Sequence, residues 1–132
     1  MTNKYNTSPP EQRRYNGRTY ASKAEMRYAK YLYQMRDDKL IVDFVEQPRL
    51  WLGVPENIYV PDFLIIPESD GSYPGSLLPY YVDVKGYYTP KFKRTIKLWR
   101  AYGILDLVVV KATKTSFKTT EVIDGTHHRE CS

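Results

Sequence analysis

The 132-residue chain is 42% hydrophobic and 27% charged, a composition typical of one soluble globular domain. No apolar run approaches the about 20 residues that a membrane-spanning helix needs. The single cysteine, Cys131, excludes a disulfide within the chain and, with the polar N-terminal segment, predicts a protein of the reducing cytoplasm. The formal net charge is +5, and its concentration in residues 1–36 and 85–100 favours a polyanionic partner.

The first segment, residues 1–20, contains Asn, Pro and Gly without an apolar period, so we expect a flexible basic N-terminal arm. Its candidate contacts to a nucleic-acid backbone are Arg13, Arg14 and Arg18. One domain is predicted over residues 21–123. Residues 124–132 are predicted to be a disordered tail, in which His127 and His128 lie without neighbouring acids and are not expected to bind metal.

A helix is predicted from Ser22 to about Arg36. Ser22 and Glu25 have the spacing of a capping box, and apolar residues recur behind them at helical intervals. The capping box by itself accounts for a glutamate at position 25. A further role for Glu25 therefore stays open.

Four apolar runs follow, and each predicts a strand. They span residues 40–45, 49–52, 58–66 and 80–86. The third run contains Pro61-Asp62 and the fourth contains Asp83-Val84-Lys85. A loop rich in Ser, Gly and Pro separates these two runs.

A second helix is predicted from Thr89 as N-cap, with Pro90 at its first position, to a stop at Gly103. Its apolar stripe consists of Phe92, Ile96 and Trp99, and its basic stripe of Lys93, Lys97 and Arg100. The basic stripe either contacts DNA phosphates or is an ordinary solvated face.

Residues 105–110 predict a buried strand and residues 119–123 an edge strand. The element order indicates an α/β fold with a central mixed β-sheet flanked by helices. The run at 80–86, the second helix and the run at 105–110 form a crossover unit, which makes the two strands parallel.

Two carboxylates and one ammonium group lie inside these apolar runs. An ionised carboxylate in apolar surroundings costs several kcal/mol unless a cation partners it. Since residues i and i+2 of a strand share a face, Asp83 and Lys85 lie on one face while Val82 and Val84 take the other. Convergence of Asp83 with Asp62 would create a divalent metal site. The alternatives are a surface ion pair for Asp83 and a Pro-Asp turn for Asp62.

With Pro61-Asp62, twenty intervening residues and Asp83-Val84-Lys85, the chain resembles the PD-(D/E)XK superfamily of metal-dependent nucleases. The segments Tyr59–Phe63, Tyr81–Gly86 and Glu46–Pro48 are similar to those of small bacteriophage endonucleases, including Holliday junction resolvases of the endonuclease I type. The likeness covers about residues 22–111. It implies a restriction-endonuclease-like core.

The resemblance implies an enzyme that hydrolyses DNA phosphodiester bonds with Mg²⁺ or Mn²⁺. Asp62 and Asp83 would bind the metal as catalytic residues, with the backbone carbonyl of Val84 as a further ligand. Lys85 would orient or deprotonate the attacking water, or stabilise the charge that develops on the phosphate. Glu25 would be a further ligand or hold a water, and Glu46 is the acid that would substitute for it.

Resolution of a four-way junction requires two coordinated cuts, so the resemblance also implies a homodimer. Such a protein would act on branched DNA in the cytoplasm of a phage-infected bacterium. Two other functions stay open, namely a catalytically silent DNA-binding module and a phage nuclease without preference for junctions. A sequence-specific restriction-type nuclease is disfavoured because no target-recognition domain is identified.

Overall fold

The computed structural model describes residues 8–68 and 78–126 of the chain. The helices are α1 (Lys23–Asp37) and α2 (Pro90–Tyr102), and a short 3₁₀ turn covers Pro10–Gln12. The strands are β1 (Arg14–Tyr15), β2 (Arg18–Thr19), β3 (Ile41–Glu46), β4 (Leu50–Trp51), β5 (Ile58–Tyr59), β6 (Phe63–Pro67), β7 (Tyr80–Val84), β8 (Leu107–Ala112) and β9 (Phe117–Ile123).

A five-stranded mixed sheet forms the centre of the fold, in the order β3-β6-β7-β8-β9. β7 and β8 are parallel, and the other neighbouring pairs are antiparallel. The predicted crossover is therefore confirmed, because α2 connects the two parallel strands. The α/β class with a central mixed sheet is also confirmed, and β9 lies at the sheet edge as expected.

The two helices pack on opposite faces of this sheet. α1 contributes Tyr28, Ala29 and Leu32 to an apolar cluster that contains Val82 and Val84 of β7. On the other face, α2 contributes its apolar stripe to a second cluster, which consists of Leu52, Phe92, Ile96, Trp99, Leu107, Val109 and Ile123. The alternation of β7 thus directs its valines towards α1 and leaves Asp83 on the opposite side.

Both helices begin at the predicted caps. The Ser22 hydroxyl accepts a hydrogen bond from the backbone N–H of Glu25 at 3.0 Å, and the Thr89 hydroxyl accepts one from Phe92 N–H at 3.1 Å. These side chains satisfy backbone donors that have no partner within the helix. Local sequence therefore determines where each helix starts.

The strand predicted over residues 58–66 is interrupted at Val60, Pro61 and Asp62. β5 pairs with β4 in a separate two-stranded sheet, whereas β6 pairs with β3 and β7 in the central sheet. Pro61 is buried between the two segments, and proline has no N–H to continue a ladder. Asp62 therefore lies immediately before a strand and not within one.

The expectation of an arm without regular structure is wrong for residues 10–20. β1 and β2 form a hairpin whose turn residues, Asn16 and Gly17, have φ of 52° and 79°. An Asn-Gly pair with positive φ at both positions is the preferred two-residue hairpin turn. The Tyr15 ring packs 5.6 Å from that of Tyr33 in α1, and Tyr20 is buried. Tertiary packing thus holds this segment against the domain.

The first residues of the predicted tail are also packed. Gly125 N–H donates to the Asp106 carboxylate at 2.9 Å, and Thr126 N–H donates to the carbonyl of Gly103 at 2.7 Å. His127, His128 and Cys131 lie outside the described residues. Neither described helix is long and apolar enough to cross a membrane.

Candidate active site

The two aspartates meet at the junction of β6 and β7. Asp62 N–H donates to Asp83 Oδ1 at 3.2 Å, and Val84 N–H donates to Asp62 Oδ2 at 2.8 Å. Each carboxylate is therefore held by a backbone N–H from the segment that carries the other. The antiparallel register of β6 and β7 brings these residues together across 20 intervening positions. The sequence prediction that Asp62 and Asp83 converge agrees with this geometry.

Lys85 and Tyr59 complete the surroundings of Asp83. The Lys85 Nζ lies 3.8 Å from Asp83 Oδ2, and the side chain of Lys85 keeps 32% of its surface exposed. The same Nζ lies 4.8 Å from the centre of the Phe92 ring, at the start of α2. The Tyr59 hydroxyl donates a hydrogen bond to Asp83 Oδ2. Asp83 itself is only 1% exposed, so a surface ion pair is not what the structure has.

Tyr59 is the residue that sequence reasoning missed. It belongs to an apolar run, where a tyrosine is most simply explained by packing. Its ring does pack at 6.0 Å from Trp99, and only the tertiary fold directs its hydroxyl at Asp83. A tyrosine hydroxyl that becomes buried needs a hydrogen-bond partner, but no local pattern indicates that Asp83, 24 residues along the chain, supplies it.

Glu25 comes to this site from the first turn of α1. It is 4% exposed, and its carboxylate accepts hydrogen bonds from the Ala21 N–H and the Gln47 side chain. Its Oε1 has no hydrogen-bond partner within the described residues. The Ser22 half of the predicted capping box is therefore present, while the Glu25 carboxylate bonds to the N–H of Ala21, one residue before the cap, and keeps one buried oxygen that this bond does not use.

The pKa values of the site are raised because several acidic side chains lie close together away from solvent. Burial, followed by the charges of Asp83 and Glu25, raises the pKa of Asp62 from 3.8 to about 9. Burial, and after it the charge of Asp83, raise the pKa of Glu25. The hydrogen bonds from Gln47 and Ala21 lower this pKa but do not cancel the increase. Burial, with the adjacent Asp83 charge, also raises the pKa of Tyr59. The site therefore favours bound protons or another source of positive charge.

The donor set fits a hard divalent cation. The charge of Asp83 adds to burial in raising the pKa of Asp62, so a nearby positive charge would stabilise the ionised pair. Mg²⁺ and Mn²⁺ prefer such carboxylate oxygens. Within residues 8–68 and 78–126, no three His, Cys, Asp or Glu side chains group closely enough to hold an ion. Asp62 and Asp83 are thus the carboxylates that would hold it, with other ligands from the backbone or water.

Glu46 does not take the place of Glu25. Its carboxylate forms an ion pair with Arg18 at 2.8 Å and accepts a hydrogen bond from the Tyr20 hydroxyl. These contacts attach the β1–β2 hairpin to the end of β3. The next residue, Gln47, is the one that reaches the site, because its side chain bonds to Glu25 and its N–H donates to the Asp62 carbonyl at 2.9 Å.

The predicted DNA-contacting arginines of the N-terminal segment have internal partners. Arg13 donates to the carbonyl of Tyr20 at 2.7 Å and to that of Ala21 at 3.2 Å. Arg14 is exposed and donates weakly to Thr19 at 3.4 Å. Arg13 and Arg18 therefore act in folding the hairpin, and of the three only Arg14 presents its side chain mainly to solvent.

The basic stripe of α2 is exposed along its whole length. Its members are Lys93, Lys97 and Arg100, and Lys91 and Arg94 are exposed beside them. Arg100 forms an ion pair with Glu121 of β9 at 3.3 Å. A cleft of about 320 Å³ lies between the start of this helix and β5, and Lys85 is in its wall. Of the α2 cations only Lys91 is in the wall of this cleft, so the candidate site opens to the surface beside Lys85 and Lys91.

Comparisons with protein-family models and with curated proteins found no match to this chain.

Proposed function

We propose that this protein is a metal-dependent endonuclease that hydrolyses DNA phosphodiester bonds, with a restriction-endonuclease-like core. The observation that carries the proposal is the convergence of Asp62, Asp83 and Lys85, in which Asp83 is buried, Asp62 is partly buried and the Lys85 ammonium group lies at a cleft. Asp-x-Lys alone is a weak motif. Two aspartates held against each other by backbone N–H groups, beside a partly exposed lysine, are a much narrower arrangement.

The divalent cation, when bound by Asp62 and Asp83, would lower the pKa of a coordinated water and neutralise charge on the scissile phosphate. Hydrogen bonds from Val84 N–H and Asp62 N–H fix the two carboxylates in place. The Tyr59 hydroxyl further orients Asp83. These bonds preorganise the acids before substrate arrives, which reduces the reorganisation that binding would require.

Lys85 supplies a positively charged side chain that is partly exposed at the site. Its Nζ is 3.8 Å from Asp83, and its partly exposed side chain lines the cleft. In this position the ammonium group can contact a phosphate oxygen and stabilise the negative charge that grows during hydrolysis. It can also orient the attacking water. The cations of α2 would hold the DNA backbone on either side.

The deciding experiment is cleavage of matched four-way junction, flap, duplex and single-stranded DNA with Mg²⁺, together with Mn²⁺ titration by calorimetry. We expect metal-dependent cleavage, and we expect Asp83→Asn to abolish both cleavage and Mn²⁺ binding. Mn²⁺ binding near neutral pH should also release protons, because the raised pKa of Asp62 favours its protonated form and a metal ligand must be ionised. Proton release is measured by repeating the titration in buffers of different ionisation enthalpy.

The matched control is Asp43→Asn. Asp43 is an exposed aspartate of β3 that pairs with Arg36 at 3.0 Å, outside the candidate site. It should cleave and bind Mn²⁺ like the parent protein. DNA binding without Mn²⁺ binding or cleavage would instead assign a catalytically silent DNA-binding module to this scaffold.

A homodimer acting on Holliday junctions is the substrate assignment that the resemblance favours. It predicts that the protein makes paired nicks placed symmetrically across a synthetic junction. It also predicts that the protein sediments as a dimer in analytical ultracentrifugation. Equal cleavage of all four substrates would leave a nuclease without junction preference. The substrate question is therefore separable from the question of whether the protein cleaves DNA.

A further inference from the structure

A row of clefts follows α2 from the candidate site to the far end of the helix. The first, of about 320 Å³, contains Lys85 and Lys91 in its walls. A second, of about 220 Å³, adjoins it, because both are lined by Ile58, Tyr59, Lys91 and Thr95. The second cleft adds Arg94 and Leu98, with Glu56 as its one acid. The β4–β5 hairpin forms the wall opposite the helix.

A third cavity lies where α2 ends, and its lining is aromatic. It has a volume of about 300 Å³, and the buried side chain of Leu52 lines both this cavity and the second cleft. Four aromatic side chains line it, namely Trp51, Tyr81, Trp99 and Tyr102. Trp51 is 59% exposed and Tyr102 is 53% exposed, so rings at the rim face solvent. We call this cavity the aromatic pocket.

The position of Tyr102 depends on a glycine in the hairpin. Gly53 has a φ of 89°, and a Cβ at this position would lie 2.7 Å from the Tyr102 ring. The ring therefore lies directly on the hairpin backbone. Trp99, at the base of the pocket, is held by a hydrogen bond from its indole N–H to the Leu105 carbonyl at 3.0 Å. The pocket is therefore built from the fixed ring of Trp99, the partly buried ring of Tyr81 and the two exposed rings of Trp51 and Tyr102.

One helical face joins the charged clefts to the aromatic pocket. Lys91, Thr95, Leu98 and Tyr102 recur at three- and four-residue intervals, which places them along one side of α2. The 13 residues of the helix span about 20 Å, the length of roughly three to six nucleotides. Cations therefore occupy the end at the candidate site, and exposed aromatic rings occupy the other.

We propose that this face binds one unpaired DNA strand, with its phosphates on Lys91 and Arg94 and one base inserted in the aromatic pocket. Bases stack on aromatic side chains whatever their sequence, and a neighbouring basic groove supplies charge complementarity. A base that is still paired within a duplex cannot enter a pocket between a helix and a hairpin. The substrate would then carry a single-stranded segment beside the cleaved bond, as a flap or gapped DNA does. This inference rests on the proposed nuclease function, but not on the four-way junction as substrate.

The test measures binding without metal, so that it does not depend on cleavage. Fluorescence anisotropy in EDTA, at one fixed salt concentration, would compare a labelled 12-nucleotide thymidine strand with a duplex of the same length. We expect the single strand to bind at least about tenfold more tightly. Tyr102→Leu should weaken single-strand binding by about fivefold to a hundredfold and leave duplex binding within twofold. Tyr102→Phe, which keeps the ring, should bind like the parent protein.

The control variant is Tyr31→Leu. Tyr31 is an exposed tyrosine of α1, on the opposite face of the sheet, and its replacement should not change either affinity. Should Tyr102→Leu fail to fold, as judged by circular dichroism, Trp51→Leu takes its place. The protein has two tryptophans, so stacking at exposed Trp51 should also quench tryptophan fluorescence, and Trp51→Phe should remove that response.

Equal affinity for both DNAs, unaffected by Tyr102→Leu, would overturn the inference and leave the nuclease proposal intact. The inference would also be overturned if Tyr102→Leu abolished dimerisation and left the affinity for single-stranded DNA unchanged. The pocket would then be a contact with a second copy of the chain. Conversely, Tyr102-dependent strand binding without cleavage under any metal would support the pocket and remove the nuclease proposal.

Discussion

Both faces of the central sheet bury an apolar cluster, but the charged residue that β7 buries lies on the α2 face only. On the α1 face, aromatic rings pack on one another, with the Phe63 ring 5.5 Å from Tyr28 and 6.3 Å from Phe44. On the α2 face, Asp83 is buried beside Lys85, close to open clefts. A single strand, β7, contributes to both faces because its residues alternate. Within β7, the valines that pack against α1 and the aspartate of the candidate site therefore lie on opposite sides of the strand.

The largest expected effect comes from the charged side. Lys85→Ala should reduce the rate of DNA cleavage by about 10²- to 10⁴-fold, since it removes the ammonium group that would act on the water or the phosphate. Single-turnover cleavage measures this rate. Lys111→Ala, at an exposed lysine of β8, is the matched control and should retain the parental rate. Cleavage by Lys85→Ala at the parental rate would contradict the role given to Lys85.

On the α1 face the expected effect is on stability. Phe63→Ala should lower the free energy of unfolding by about 3 to 5 kcal/mol, because Phe63 is fully buried and its loss leaves a cavity. Urea denaturation measures the change. Mn²⁺ affinity, measured where the variant is still folded, should stay close to the parental value. A decrease in the free energy of unfolding of less than about 1 kcal/mol would contradict the role of Phe63 in stabilising the α1 face.

Tyr59 tests the boundary between the two roles, since it packs on Trp99 and also bonds to Asp83. Tyr59→Phe keeps the ring and removes the hydroxyl donor. Such a loss of support to a metal ligand typically weakens metal affinity by about tenfold to a hundredfold. Mn²⁺ calorimetry measures the affinity, and thermal unfolding monitors the packing. Unchanged Mn²⁺ affinity would limit Tyr59 to a packing role.

The smallest effect concerns pH. The pKa of Asp62 is raised from 3.8 to about 9, so the folded protein holds a proton that the unfolded chain releases near pH 4. The stabilisation from this proton is complete below about pH 4 and is lost as the pH rises towards 9. In EDTA, Asp62→Asn should therefore gain several degrees of Tm relative to the parent between pH 5 and pH 9. Parallel Tm curves for the two proteins would contradict this assignment.

Local patterns in the sequence predicted the helices and the pairing of the acids well. Ser22 and Thr89 are strong caps because their hydroxyls satisfy nearby N–H groups, which requires no tertiary information. The alternation around Asp83 likewise determined which residues share its face. The break at Pro61 could also have been expected, since proline is excluded from the interior of a sheet.

Other features depend on contacts between distant segments. Asn16-Gly17 is a hairpin signal, but two such short strands need contacts with the rest of the domain, which Tyr15 makes with α1 and Arg18 and Tyr20 make with Glu46. The choice between Glu25 and Glu46 is decided by Arg18 and Tyr20, which engage Glu46. The aromatic pocket arises where the hairpin backbone at Gly53 meets Tyr102, and no local pattern predicts that contact.

The length of α2 has a consequence for how this protein can change during evolution. An α-helix turns about 100° per residue. One residue inserted after Thr95 would therefore rotate Trp99 out of the core and carry Tyr102 away from the side that holds Lys91. Substitutions on the outer surface of α2 do not change which residues face the core and which face the clefts. An insertion or deletion within the helix changes both. Homologous chains should accordingly vary in the composition of this helix but keep its residue count.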